Sequence, residues 1–82
     1  MMSGRSVIEA YRGGVAVTPS DSVLIAPTRG LFIGGAGNVT VDFVDGTSNV
    51  LLTGPEVGTV LPLSVVRVRA TGTTATAIVA LY

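Results

Sequence analysis

From Thr59 to Tyr82 the chain is a Val/Thr-rich run whose only charges are Arg67 and Arg69, and it stays apolar to its last residue. A composition of this kind fits half-buried strands. Chain ends are usually polar and frayed. Here Ala77 to Tyr82 offers an apolar group at every position, so both faces of a terminal strand need cover. A small sheet covers one face, and a neighbouring subunit is expected to cover the other. The feature points to assembly before it points to chemistry.

Size sharpens that expectation. A chain of 82 residues makes one domain. Only 12% of its residues are charged, against roughly 25% in typical soluble proteins. A domain this small buries about 60–65% of its unfolded surface, and such domains draw extra stability from disulfides, metals or partners. The chain has neither cysteine nor histidine, which excludes disulfides and a zinc site. Oligomerisation is the remaining route, and a homo-oligomer, trimer or pentamer, is expected. Net charge is zero, with five arginines and no lysine; a nucleic-acid partner would call for a basic excess. No apolar stretch reaches the roughly 18 residues of a membrane span, and no secretory signal is recognisable. The expectation is a protein made in the cytoplasm and destined for a complex, with no membrane or nucleic-acid partner and no cofactor.

The chain divides into an extended N-terminal arm, residues 1–14, and a single β domain, residues 15–82. The arm carries Arg5, Val7, Ile8, Tyr11 and Arg12 and ends in Gly13-Gly14. Ser6-Val7-Ile8-Glu9 fits a capping box, but any helix there meets glycine within two turns. The arm is expected to order on contact with another protein. Beyond it, short strands alternate with turn signals, the spacing of a sandwich or barrel. Candidate strands are residues 15–18, 23–26, 29–34, 38–44, 49–53, 57–63 and 75–82. In residues 38–44 the alternation predicts Val39, Val41 and Phe43 on one face, with Thr40 and Asp42 on the other. Asp45-Gly46 favours a tight hairpin. Leu61, Leu63 and Val65 share one phase while Val66 and Val68 share the opposite one. That slip near Ser64-Val65 predicts a β-bulge or a crossing between sheets.

Catalytic chemistry has little to work with. Serine- or cysteine-type catalysis needs a base, most often histidine, and Asp21, Asp42, Asp45, Glu9 and Glu56 each have an ordinary structural reading. Gly34-Gly35-Ala36-Gly37 lacks the Lys-Ser/Thr of a phosphate loop and leads into an alternating strand, so it reads as a turn or bulge. Asp42 and Asp45 have no ligand-rich loop around them for calcium. Arg67 and Arg69 lie two apart on one strand face and are candidates for pairing with carboxylates across a subunit boundary. With Ile78, Val79, Leu81 and Tyr82 they make up the expected oligomer interface. Arg5, Val7, Ile8, Tyr11 and Arg12 are the expected contacts of the arm.

Four blocks in sequence resemble a family. They are Ala16-Val17-Thr18-Pro19-Ser20-Asp21-Ser22, Thr28-Arg29-Gly30-Leu31-Phe32-Ile33-Gly34-Gly35-Ala36-Gly37, Gly58-Thr59-Val60-Leu61-Pro62-Leu63, and the run from Val68-Arg69-Ala70-Thr71-Gly72 to Tyr82. Together they are similar to the spike base proteins of tailed phages and of phage-derived gene transfer agents. The resemblance spans Val15 to Tyr82 and implies a virion structural protein without enzymatic activity, located on the capsid surface. It implies a symmetric oligomeric base that carries a spike or fibre protein. The reading is therefore an all-β protein, a small antiparallel, jelly-roll-like sandwich or barrel. Its expected role is head decoration, cement or spike base on the major capsid protein. A phage tail, adaptor or fibre-base component is the second reading, and a carbohydrate-binding module the third.

Overall fold

In a computed structural model, which describes residues 10–82, the turn-punctuated apolar stretches fold as seven strands. They are β1 (Gly14–Ala16), β2 (Gly30–Gly35), β3 (Val39–Phe43), β4 (Val50–Leu52), β5 (Thr59–Leu61), β6 (Val65–Val68) and β7 (Thr76–Leu81). They pair into a four-stranded sheet in the order β1-β7-β2-β5 and a three-stranded sheet in the order β4-β3-β6. Every ladder is antiparallel. Each sheet turns one row of side chains toward the other. Leu31, Ile33, Ile78 and Ala80 come from the first sheet, Val39, Val41, Val65 and Val68 from the second, and none is more than 2% exposed.

Residues 20–28 run along the free edge of β6 without forming a strand. Ser20 N–H donates to Val68 O (2.9 Å), Ile25 N–H to Val66 O (2.8 Å) and Thr28 N–H to Val65 O (3.1 Å). This irregular edge stands where an eighth strand would complete two four-stranded sheets, so the architecture is the expected jelly-roll-like sandwich. Residues 23–26, a strand candidate by composition, lie in this edge. Pro19 and Pro27 bracket it, and Val23 and Leu24 point outward as exposed side chains.

The phase slip has both of its predicted forms. The chain leaves the first sheet after Leu61 and enters the second at Val65, which makes Pro62-Leu63-Ser64 a crossing. Within β6 the register then shifts, with Asp42 opposite Arg67 but Phe43 opposite Val65. Val66 is the extra residue of a bulge. The turn at Asp45-Gly46 forms: Gly46 N–H donates to Phe43 O (3.1 Å) and Phe43 N–H to Thr47 O (2.7 Å). The glycine-rich stretch ends β2 and turns into β3. Gly37, at φ +147°, passes so near the facing chain that a Cβ would come within 2.3 Å of Ala75 N. Only glycine fits there.

One expectation is corrected. Thr40 and Asp42 are buried, not on a polar face in solvent. Arg69 N–H donates to Thr40 O (2.8 Å) and Thr40 N–H donates to the Thr73 hydroxyl (2.9 Å), while two arginines cover Asp42. The chain's own β6 side chains and the turn after them roof this part of the sheet. The closing strand has the cover expected for one of its faces within the subunit. β7 is the second strand of its sheet, paired to β1 on one side and β2 on the other. Its inner row, Ile78 and Ala80, is buried against the three-stranded sheet. Among the described residues, only the outer row, Ala77, Val79 and Leu81, is not covered by the facing sheet.

Candidate assembly surfaces

The sandwich has two outer faces, and they differ in chemistry. On the four-stranded sheet, Cα partners across the ladders share a face. Ala16 pairs with Val79, Phe32 with both Val79 and Val60, and Gly30 with Leu81. Ala16, Phe32, Val60, Ala77, Val79 and Leu81 therefore share one face with no charge among them. Tyr11 closes one end of it. A Cβ on Gly30 would come within 2.9 Å of the Tyr11 hydroxyl, and the Arg29 guanidinium lies 5.7 Å from the Tyr11 ring centroid. The backbone just before β1 is tied to the chain end, with Arg12 N–H donating to Tyr82 O (2.6 Å) and Tyr82 N–H to Gly13 O (2.9 Å).

The opposite face carries a charge cluster. Asp42 on β3 sits across from Arg67 on β6. Asp42 Oδ2 accepts from Arg67 Nη1 and Arg69 Nη2, and Oδ1 accepts from Arg69 Nε and from Asn49 N–H, all at 2.9 Å. Arg69 thus makes a two-pronged grip on one carboxylate. The Arg69 hydrogen bonds, then the Asn49 N–H, hold the Asp42 pKa down to about 2 against the partial burial that opposes them. Asp42 in turn raises the pKa of Arg69. Arg67 Nε is buried without a hydrogen-bond partner among the described residues. Leu51, opposite Thr40 on β4, adds a 53% exposed apolar side chain to this face.

The residues expected at the interface do not form one patch. Arg67 and Arg69 lie on the three-stranded sheet and bond a carboxylate of their own chain. Val79 and Leu81 lie on the outer face of the other sheet. Ile78 is 2% exposed, in the intersheet core, and Tyr82 packs against that core with its hydroxyl donating to Ala26 O (3.2 Å). Tyr11 and Arg12 border the apolar face, while Arg5, Val7 and Ile8 lie outside the described residues. Phe32, Val60 and Leu51 were not singled out by the sequence, and Asp42, weighed there as a carboxylate, was not expected to pair with Arg67 and Arg69. A signal for Phe32 was present: the unbroken run Leu31-Phe32-Ile33 marks a strand wanting cover on both faces. The carboxylates have local partners. Asp21 accepts from Thr71 N–H (3.0 Å) and hydroxyl (2.7 Å), and Asp45 from Thr47 N–H (2.9 Å).

Comparison with known proteins gives a match over nearly the whole chain. A chain in a structure described as the capsid of a native GTA (gene transfer agent) particle, computed with C5 symmetry, superposes with a TM-score of 0.79 at 31% identity. The match covers 94% of this chain and 93% of that one. No protein-family model and no curated protein sequence matches.

Proposed function

As a member of the same family as that capsid chain of a gene transfer agent particle, this chain is a capsid-associated virion structural protein, and we propose that it is a head-surface subunit. In this reading it is a decoration or spike-base protein that assembles as a homo-oligomer, seats on the major capsid protein and presents a base for a spike or fibre. The observation that carries the proposal is the near end-to-end match. The outer face formed by Ala16, Phe32, Val60, Val79 and Leu81 supports it, because an uncharged sheet face is the chemistry of a lasting contact. Arg67, Arg69, Val79, Leu81 and Tyr82 are assigned to contacts between copies, with Ile78 supporting the β7 row from inside. Residues 1–14, through Arg5, Val7, Ile8, Tyr11 and Arg12, are assigned to the shell. Many modest contacts repeated over a symmetric particle hold a small subunit firmly.

Removing residues 1–9 tests the assignment, because it leaves Arg12 and Gly13 in place beside Tyr82. The truncated protein is expected to keep its thermal transition but to fall at least tenfold in occupancy on purified particles. Unchanged occupancy would remove the arm from the shell contact. Absence of the full-length protein from particles would overturn the head-surface role itself.

A further inference from the structure

The strand order leaves one sheet with two open edges. In the four-stranded sheet β1 stands at one end and β5 at the other, and no described strand lies beyond either. We propose that these two edges pair between copies of this chain. In this contact β1 of one copy adds to β5 of the next, and the four-stranded sheets join into a closed ring. The inference rests on the oligomeric reading above and names the backbone surfaces that hold the ring together.

The hydrogen-bond phase of β1 follows from its flanks. Tyr82 N–H donates to Gly13 O (2.9 Å), Gly13 N–H to Tyr82 O (3.3 Å) and Val17 N–H to Ile78 O (2.8 Å). Bonded pairs in an antiparallel ladder recur at every second residue, so Val15 bonds Ala80, its Cα partner. The N–H and C=O groups of Gly14 and Ala16 therefore point away from β7, toward the open side. All three residues of β1 are exposed, and no charge or proline stands among them. Edges are usually blunted by such residues. Unpaired backbone groups on an unguarded edge are the chemistry that takes an extended strand from another chain.

The topology selects β5 as that strand. Every ladder in the sheet is antiparallel, so in a sheet of four strands β1 and β5 run in opposite directions. Rotation about an axis along the strands keeps each direction, and β1 of one copy then meets β5 of the next antiparallel. With Thr59, Val60 and Leu61, β5 matches β1 in length and is also uncharged. The other sheet cannot make such a contact. Residues 20–28 occupy the outer side of β6, which leaves that sheet β4 alone. A contact between two different edges is head-to-tail and closes into a ring where the rotation allows. Closure removes both edges at once.

Ala16→Pro deletes one outward N–H and no hydrogen bond within the subunit, a change that edge strands accept. The full-length variant should keep its circular dichroism spectrum and associate at least tenfold more weakly by sedimentation velocity. Val15→Lys, at a side chain 58% exposed, guards the same edge without altering the backbone and should act alike. Val15, Thr59 and Leu61 share one side of the sheet through their partners Ala80, Ile33 and Leu31. Within a subunit two strands separate β1 from β5, a span of about 14 Å at the usual spacing, too far for a disulfide. The chain has no cysteine of its own. Mild oxidation of Val15→Cys/Thr59→Cys and Val15→Cys/Leu61→Cys, free and on particles, should give with one pair a ladder of covalent oligomers ending at the ring size. An oligomer unchanged by both Ala16→Pro and Val15→Lys would overturn the edge pairing. So would the absence of a ladder from both pairs, or dimers as the main product of Val15→Cys alone. A wild-type protein that is monomeric and absent from particles would instead overturn the oligomeric reading itself.

Discussion

At the scale of single residues, Thr28 joins the two sheets. It is 2% exposed, its hydroxyl donates to Leu63 O (2.7 Å) and accepts from Val65 N–H (3.0 Å). It therefore serves both sides of the crossing between β5 and β6. Thr28→Val keeps the shape and leaves both backbone groups unpaired in a dry site, at a cost of about 1–3 kcal/mol. A fall in thermal midpoint of several degrees is expected in a chain of this size, and an unchanged midpoint would show the bridge to be dispensable. Asp42 acts through pH. Its folded pKa, about 2, is lower than its ordinary 3.8, so its ionisation favours the folded state above pH 4. That contribution fades as pH falls from 4 toward 2. Asp21 and Asp45 are shifted in the same direction by the Thr71 and Thr47 hydrogen bonds. The urea midpoint is expected to drop across this window. In Asp42→Asn it should be lower at pH 7 and should fall less steeply on acidification; equal slopes in the two proteins would refute the assignment.

At the scale of elements, β7 contains a local conflict. Ala77 has φ +52°, the left-handed region that side chains with a Cβ occupy at a cost of roughly 1–2 kcal/mol. It is held there beside Gly34, where a Cβ would come within 2.8 Å of Ala77 O and 2.9 Å of Ala77 Cβ. The missing side chain on β2 makes room for the twisted backbone on β7. Ala77→Gly removes the strain and adds about 0.4–1 kcal/mol of chain entropy to the unfolded state. The expected net is a gain of about 0.5–1 kcal/mol in denaturant unfolding, and a loss would mean that Ala77 packs more than its geometry strains. The same pair of strands explains why apolar residues run on to the end of the chain: β7 needs one row for the core and another for the outer face.

At the scale of the whole molecule, the two rows of β7 should separate folding from assembly. Ile78 faces the core, and Ile78→Ala is expected to destabilise the single subunit by about 2–5 kcal/mol. Val79 and Leu81 face outward. Val79→Thr/Leu81→Thr preserves branching at one site and strand propensity at both, so the fold should persist. Association should weaken tenfold or more, about 1.4 kcal/mol per contact, by sedimentation velocity over a dilution series. Equal association by the double variant and the parent would remove the apolar face from the interface. Amide exchange at the chain end cannot make this distinction, because β1 and β2 protect β7 within its own subunit.

Much of the architecture was legible in the order of residues. Turn residues between short apolar runs marked strands, the clean alternation in 39–43 marked a ladder, and the phase conflict around Ser64 marked the bulge and the crossing. Each is a local matter: side-chain period and turn chemistry act over a few neighbours. What lay beyond reach depended on residues far apart in the chain. Asp42 is buried because Arg67 and Arg69 arrive over it from β6, and periodicity on β3 alone cannot register their arrival. Residues 23–26 have strand composition, yet the path between Pro19 and Pro27 meets β6 at only a few backbone groups. Most of all, the sequence determined that the closing strand must be covered on two sides, whereas tertiary pairing decided by what. Strands β1 and β2 flank it, the second sheet roofs its inner row, and among the described residues Ala77, Val79 and Leu81 form the outer row, because strand order is set by contacts that no local pattern contains.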